Sequence, residues 1–237
     1  ATQKKPVKMP RLPKKSPTKN VLVNFLLDQT GSMEVCKDET ITGFNQYVED
    51  LRHNDKAKIK FSLTLFNSHN IDHRYVNEGI ENIQNLTADN YRPKNYTPLY
   101  DAIGRSVQKI NASLSDKERR GSSILFVVMT DGQENSSMEF NKEKVFQMIK
   151  DKEKEGWTFV YLGANQNAWE VGGAIGMAHA NTMAYNTADM GVTLQILGAS
   201  TAAYVANANA AEASDNFFAA TIQSVTKPEK IKKNAKQ

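Results

Sequence analysis

The chain has 237 residues, 40% of them hydrophobic, so it is long enough to bury a full core. No apolar run approaches the roughly 20 residues that span a bilayer, and no signal-peptide-like apolar segment stands at the start, so no membrane partner and a cytoplasmic setting are expected. The one cysteine, Cys36, excludes an internal disulfide framework and fits a reducing compartment, which leaves the sequons at Asn85, Asn95, Asn111 and Asn135 as chance.

The net charge of +4 hides an asymmetry. Residues 1–20 carry seven Lys or Arg and no acid, and residues 227–237 carry five Lys and one Glu. Removing these from 30 basic and 26 acidic residues leaves 18 against 25, so the body is net −7. The Pro-bearing basic arm cannot bury a core alone and is expected to be disordered. It reads either as a solubilising tail or as a contact to nucleic acid or an acidic surface, as does the tail at 227–237. The expected organisation is a basic arm over 1–20, one α/β domain over 21–217 and a basic tail over 218–237.

In chain order, Val21–Met33 is a short apolar run that ends at Asp28 and a Gly-containing loop, the pattern of a buried parallel strand. Glu39–Arg52 has Ile41, Phe44, Tyr47, Val48 and Leu51 at helical spacing. Lys58–Phe66 alternates and reads as a half-exposed strand, paired with Ile71–Val76 as an antiparallel edge. Ile80–Leu86 is a short helix or turn; a polar loop, Asp89–Pro98, leads to a helix from Leu99 to about Leu114. Ser122–Met129 is the strongest buried strand and ends at Thr130-Asp131-Gly132. A charged amphipathic helix at Asn141–Glu155, a core strand at Trp157–Leu162 and a Gly-rich helix starting at Asn165 follow. Thr187–Ala213 reads as one long Ala-rich helix. This alternation predicts a doubly wound, mostly parallel sheet of five or six strands with one antiparallel edge strand and helices on both faces.

In such sheets ligands sit outside the carboxyl ends of the strands. Asp28, Thr30 and Ser32 place hard oxygen donors of low charge there, a set that suits Mg²⁺ or Mn²⁺ with open water positions. Taken alone, such residues equally serve as helix caps. His53, His69, His73 and His179 show no metal spacing, Cys36 has no nucleophile motif, and Gly172-Gly173-x-x-Gly176 lacks the context of a nucleotide loop.

The chain resembles von Willebrand factor A domains over about residues 20–215, on three elements found in order. Asp28-Gln29-Thr30-Gly31-Ser32 matches the family's D-x-S-x-S with Thr in place of the first Ser; Thr97-Pro98-Leu99-Tyr100-Asp101-Ala102 is similar to the T-P-L-x-x-A run of bacterial members; Thr130-Asp131-Gly132 matches T-D-G. The resemblance implies a metal-ion-dependent adhesion site. Ser32 and Thr30 would ligate directly, Asp28 and Asp131 would hold metal-bound waters or ligate themselves, and Thr97 would join in one conformation. One position is left open for a carboxylate from a partner protein. Gln29, Met33, Tyr96, Gln133 and Glu134 are expected at the partner-binding rim, with Asp101 and Glu134 as helix-start and solvated acids and Asn135 at the rim or shaping the loop. The resemblance also suggests coupling of the Thr97 loop to the C-terminal helix.

The leading expectation is a non-enzymatic, Mg²⁺-dependent protein-binding module of intracellular bacterial or bacteriophage type, virion-associated if phage-encoded. Two alternatives remain open. The run from Asp28 to Ser32 also resembles the D-K-T-G-T of aspartyl-phosphate-forming phosphohydrolases, with Asp28 as nucleophile, although a phosphate-binding Lys and a nucleotide domain are missing from the sequence pattern. A structural or nucleic-acid-associated protein acting through its basic ends is the third reading.

Overall fold

The computed structural model describes residues 19–164, 167–207, 215–219 and 221. The basic arm up to residue 18, the expected helix start at 165–166, the expected helix end at 208–213 and the tail from 222 lie outside the described residues. The strands are β1 (Lys19–Asp28), β2 (Ala57–Phe66), β3 (Ile71–Gly79), β4 (Ser122–Thr130), β5 (Trp157–Ala164) and β6 (Thr182–Tyr185). The helices are α1 (Lys37–Arg52), α2 (Leu99–Ser113), α3 (Asp116–Gly121), α4 (Lys142–Lys154), α5 (Ala168–Ala174) and α6 (Met190–Ala206).

All six strands form one sheet in the order β3-β2-β1-β4-β5-β6. Only the β2–β3 pairing is antiparallel, and it is bulged between Phe61 and Thr64. β1 lies between β2 and β4 and is parallel to both. The strand order reverses there, which opens a crevice above the carboxyl ends of β1 and β4.

β1 is apolar at nearly every position because both of its faces are covered. Val21, Val23, Phe25 and Leu27 join the core under α1 and α6, which Phe44, Tyr47, Leu194 and Leu197 also fill. Leu22 and Leu26 point to the opposite core, under α2 and α4, with Ile103, Val107, Val145 and Ile149. Phe25 meets Phe44 and Tyr47 edge-on, with both ring centroids 5.5 Å away.

Lys58–Phe66 alternates in sequence, but only its first half is half-exposed: Lys58 is exposed, whereas Ser62 and Thr64 are buried. Their hydroxyls have partners that permit burial. Ser62 Oγ accepts the Asn77 N–H at 2.8 Å, and Thr64 Oγ1 lies 2.9 Å from His73 Nδ1. At the domain edges, β1 begins at Lys19, while Phe218 and Thr221 are buried; Thr221 Oγ1 is 2.7 Å from Ser200 Oγ. Among the described residues, no helix is long and apolar enough to cross a membrane.

α3 starts with a capping box in which Ser115 and Glu118 satisfy each other's backbone N–H groups. Glu118 Oε1 also accepts from Lys60 Nζ at 2.7 Å and from Asn77 Nδ2 at 3.1 Å. The Lys60 ammonium first, and then the Ser115 hydroxyl, hold the Glu118 carboxyl down to about 2 from 4.5. A depressed carboxyl stabilises the fold above its unfolded value and loses that contribution as pH falls through its folded one. Glu118→Gln is expected to cost about 1 kcal/mol at neutral pH, allowing for the part-exposed lysine. Urea melts across pH 7 to 2 should show the two proteins converging below pH 4.5; curves that stay parallel throughout contradict the ion pair.

Candidate metal centre

Asp28 is the last residue of β1 and is fully buried. Its Oδ1 accepts the Thr30 N–H at 2.7 Å, and its Oδ2 accepts the Thr130 hydroxyl at 2.5 Å. The register brings Thr130 there, since Leu27 pairs with Met129 and the next residues of both strands stand at the lip of the crevice. The Asp28 carbonyl takes the buried Tyr91 hydroxyl at 2.7 Å. Beyond it, a 3₁₀ turn at Gly31–Cys36 presents Ser32 outward. Ser32 Oγ lies 3.2 Å from Thr30 Oγ1 and donates to Asp131 Oδ1 at 2.6 Å.

The Thr97 loop is fastened to this turn by backbone. The Gly31 N–H donates to the Asn95 carbonyl and the Lys94 N–H to the Gln29 carbonyl, both at 3.0 Å. Asn95 adopts φ 67°, a left-handed conformation that asparagine tolerates. Thr97 itself is buried, and Asn135 brackets its backbone: Asn135 Oδ1 accepts the Thr97 N–H at 2.8 Å and the Asn135 N–H donates to the Thr97 carbonyl at 3.1 Å. A Cβ built on Gly132 would stand 2.7 Å from Thr97 Oγ1. The hydroxyl therefore lies against the backbone beside Asp131, where only glycine leaves it room.

Asp28, Thr30, Ser32 and Asp131 thus form one hydrogen-bonded cluster, with Thr97 against its far wall. The donor set fits a small divalent cation. Cis oxygens of an octahedron with metal–oxygen distances near 2.1 Å stand about 3 Å apart. The Thr30–Ser32 and Ser32–Asp131 oxygen separations, 3.2 and 2.6 Å, bracket that edge. Electrostatics agree in sign. Burial pushes the Asp28 carboxyl up to about 7; the Thr130 and Thr30 hydrogen bonds pull the other way, and the Asp131 charge adds to the rise. Burial also raises Asp131. Two desolvated carboxylates facing only neutral donors favour a positive charge between them. Among the described residues no group of three or more His, Cys, Asp or Glu is placed to hold a metal ion.

The expected rim is rearranged in two places. Met33 is fully buried, because the 3₁₀ turn points Met33 and Cys36 into the core and leaves Glu34 and Val35 outside. Val35, 77% exposed, is the apolar residue that this turn presents to solvent. Glu134 is not a solvated acid. Its Oε1 accepts the Ser136 and Ser137 N–H groups, and its Oε2 accepts the Tyr100 N–H and the Ser137 hydroxyl, at 2.7–2.9 Å. Asp101 stands in the first turn of α2, as expected of a helix-start acid, and is buried, accepting the N–H groups of Met138, Glu139 and Phe140 at 2.8–2.9 Å. Tyr96, 69% exposed, stands outward with Gln133, while Gln29 is half-buried. Thr130, Tyr91 and Asn135 hold the site together, and sequence reasoning gave the first two no role. Thr130 lay inside the matched T-D-G, so its signal was present.

The model of the von Willebrand factor type A domain matches residues 23–199, about three quarters of the chain. The chain belongs to the von Willebrand factor type A family. A search of curated proteins finds no match by sequence. Among solved structures, the von Willebrand factor domain of the type V pili tip protein Mfa5 from Porphyromonas gingivalis is similar at 8% identity and TM-score 0.58, covering 81% of this chain and 98% of that one. The pilus adhesin SpaC from Lactobacillus rhamnosus GG, in an open conformation, matches at 12% identity and TM-score 0.60 over 80% of this chain and 31% of its own. Proximal thread matrix protein 1 from the mussel byssus, with a zinc-occupied MIDAS motif (the metal-ion-dependent adhesion site), matches at 13% identity and TM-score 0.54 over 76% of this chain. The chain spans about half (47%) of that mussel protein's length. At these identities the likeness shows the fold. Von Willebrand factor A domains are typically protein-interaction modules, and the mussel relative holds a divalent metal in its motif.

Proposed function

We propose that this von Willebrand factor A domain is a Mg²⁺-dependent protein-binding module that captures a carboxylate of a partner protein. The observation that carries the reading is the Thr30–Ser32–Asp131 run of oxygens, spaced like octahedral edges and braced by Asp28. Thr30 and Ser32 hydroxyls would hold the cation (Mg²⁺, or Mn²⁺ with the same hard donors), with Asp28 and Asp131 as ligands or as acceptors for its waters and Thr97 as the remaining protein donor. When bound, the cation supplies Lewis acidity toward an external anion. The chain's own part is to fix three hydroxyls and two carboxylates in advance, so that little rearrangement is needed on capture. Val35 and Tyr96 supply apolar surface beside the site, and Gln29 and Gln133 supply amides.

The burial of Asp28, with both carboxylate oxygens already accepting hydrogen bonds, weighs against its acting as a nucleophile on phosphate. The test is a panel of peptides bearing one Asp or Glu, each paired with its amide counterpart, measured against the protein in Mg²⁺ and in EDTA. Binding restricted to carboxylate peptides and to Mg²⁺ supports the proposal. Equal binding in EDTA contradicts it.

Gly132→Ala offers a second check. The new Cβ would displace the Thr97 hydroxyl, so Mg²⁺ affinity is expected to fall about tenfold while the fold persists. Unchanged affinity by calorimetry would remove Thr97 from the site.

A further inference from the structure

Six large apolar side chains are exposed among the described residues, and the three most exposed are Met138, Val35 and Tyr96, at 93%, 77% and 69%. Each stands on a different loop of the metal centre. Val35 lies in the 3₁₀ turn that presents Ser32, Tyr96 precedes Thr97, and Met138 follows Asp131 in the loop between β4 and α4. A single exposed apolar residue is ordinary, whereas three on the loops of one site mark a surface that a partner covers.

An open cleft of about 330 Å³ adjoins the centre. One wall is the β2–β3 turn at 67–71 and the other is the loop at 136–139, which carries Met138; Arg105 of α2 also lines it. Both walls touch the backbone that holds Thr97. The Ser68 N–H donates to the Tyr96 carbonyl at 2.9 Å, and Ser68 Oγ accepts the Tyr96 N–H at 3.2 Å. Opposite, the Asn135 N–H reaches the Thr97 carbonyl, and Ser136 beside it belongs to the cleft.

The lining decides what fits. Arg105 Nε and Nη2 donate to the two carboxylate oxygens of Glu139 at 2.9 and 2.5 Å, so these charges satisfy each other. Met138 is fully open to an occupant, and the thioether adapts to varied apolar shapes. An acidic occupant would have to displace Glu139 from Arg105, and a basic one would stand beside a divalent cation. An uncharged apolar side chain meets neither penalty. Covering the rim also keeps water from the cation, which strengthens its hold on a carboxylate.

We infer that the partner's metal-binding carboxylate is flanked by an uncharged apolar residue, which enters this cleft against Met138 while Tyr96 and Val35 are covered beside it. The inference rests on the metal-centre reading and adds to it the character of the partner's sequence.

The test uses capped pentapeptides with a central Asp between two Leu, two Ser or two Lys, each with an Asn counterpart. Calorimetry measures them in Mg²⁺ and in EDTA. The wild type is expected to bind the Leu peptide about tenfold more tightly than the Ser peptide. The double variant Met138→Ser, Tyr96→Ser is expected to lose that preference. Both side chains are exposed and the hydrogen bonds given for these residues run through their backbone, so the fold persists. The readout is a ratio between peptides on one protein, so partial loss of active protein does not shift it. Carboxylate- and Mg²⁺-dependent binding that ignores the flanks, favours Lys, or keeps its Leu preference in the double variant overturns the inference and leaves the metal centre standing. Binding of no Asp peptide, or binding indifferent to EDTA, overturns the metal-centre reading and this inference with it.

Discussion

Asp28→Ala is expected to abolish divalent-cation binding, lowering affinity at least about 100-fold, while the domain stays folded. The side chain anchors both halves of the site, holding the Thr30 N–H with one oxygen and the Thr130 hydroxyl with the other. Its loss leaves those two donors unpaired, at about 1–3 kcal/mol, and removes a buried carboxylate whose desolvation is itself unfavourable, so the net change in metal-free stability is small. The contrast appears on adding Mg²⁺. At 100 times its Kd a ligand that binds only the native state raises stability by about 2.7 kcal/mol, a gain expected of the wild type and absent from the variant. Thermal melts in Mg²⁺ and in EDTA measure both quantities at once. A variant still stabilised by Mg²⁺ would place the cation elsewhere.

Asp101→Ala is expected to cost about 3–4 kcal/mol, the largest effect on stability of any surface-loop contact described above. The carboxylate is 5% exposed and takes three successive backbone N–H groups, those of Met138, Glu139 and Phe140. It therefore pins the loop that follows Asp131 against the start of α2. Because Asn135 lies in the same loop and brackets Thr97, the substitution is also expected to loosen the far wall of the metal centre. Urea denaturation gives the magnitude; a loss under about 1 kcal/mol would mean that water replaces the carboxylate and that Glu134 and Asn135 hold the loop without it.

What the sequence revealed and what it hid follow a physical division. β1 and β4 were legible because continuous apolar runs ending in an acid leave little choice of element, and their pairing follows from the doubly wound order. Asp28, Thr30, Ser32, Thr97 and Asp131 were legible as candidates because motif spacing survives where packing detail does not. β6 was not singled out: Thr182–Tyr185 is four residues with no alternation, defined by pairing with β5 rather than by its own pattern. α3 was missed although Ser115 and Glu118 spell a capping box, a local signal that was present in the chain. Met33 was misread because the inward face of a 3₁₀ turn depends on where the turn begins. Glu134 was misread because its partners include backbone N–H groups, one of them 34 residues away, which no side-chain pattern announces; Asp101 was legible as a helix-start acid, but not the three N–H groups it accepts.

The measurement that bears most directly on the account is a titration of the purified, metal-stripped protein with Mn²⁺, followed by electron paramagnetic resonance of the free ion. One site per chain is expected, displaced by Mg²⁺ and lost in Ser32→Ala and Asp131→Ala but retained in Glu134→Gln, whose carboxylate serves the loop instead. No bound Mn²⁺, or binding that ignores Ser32 and Asp131, would contradict the assignment of the crevice above β1 and β4 as a metal centre.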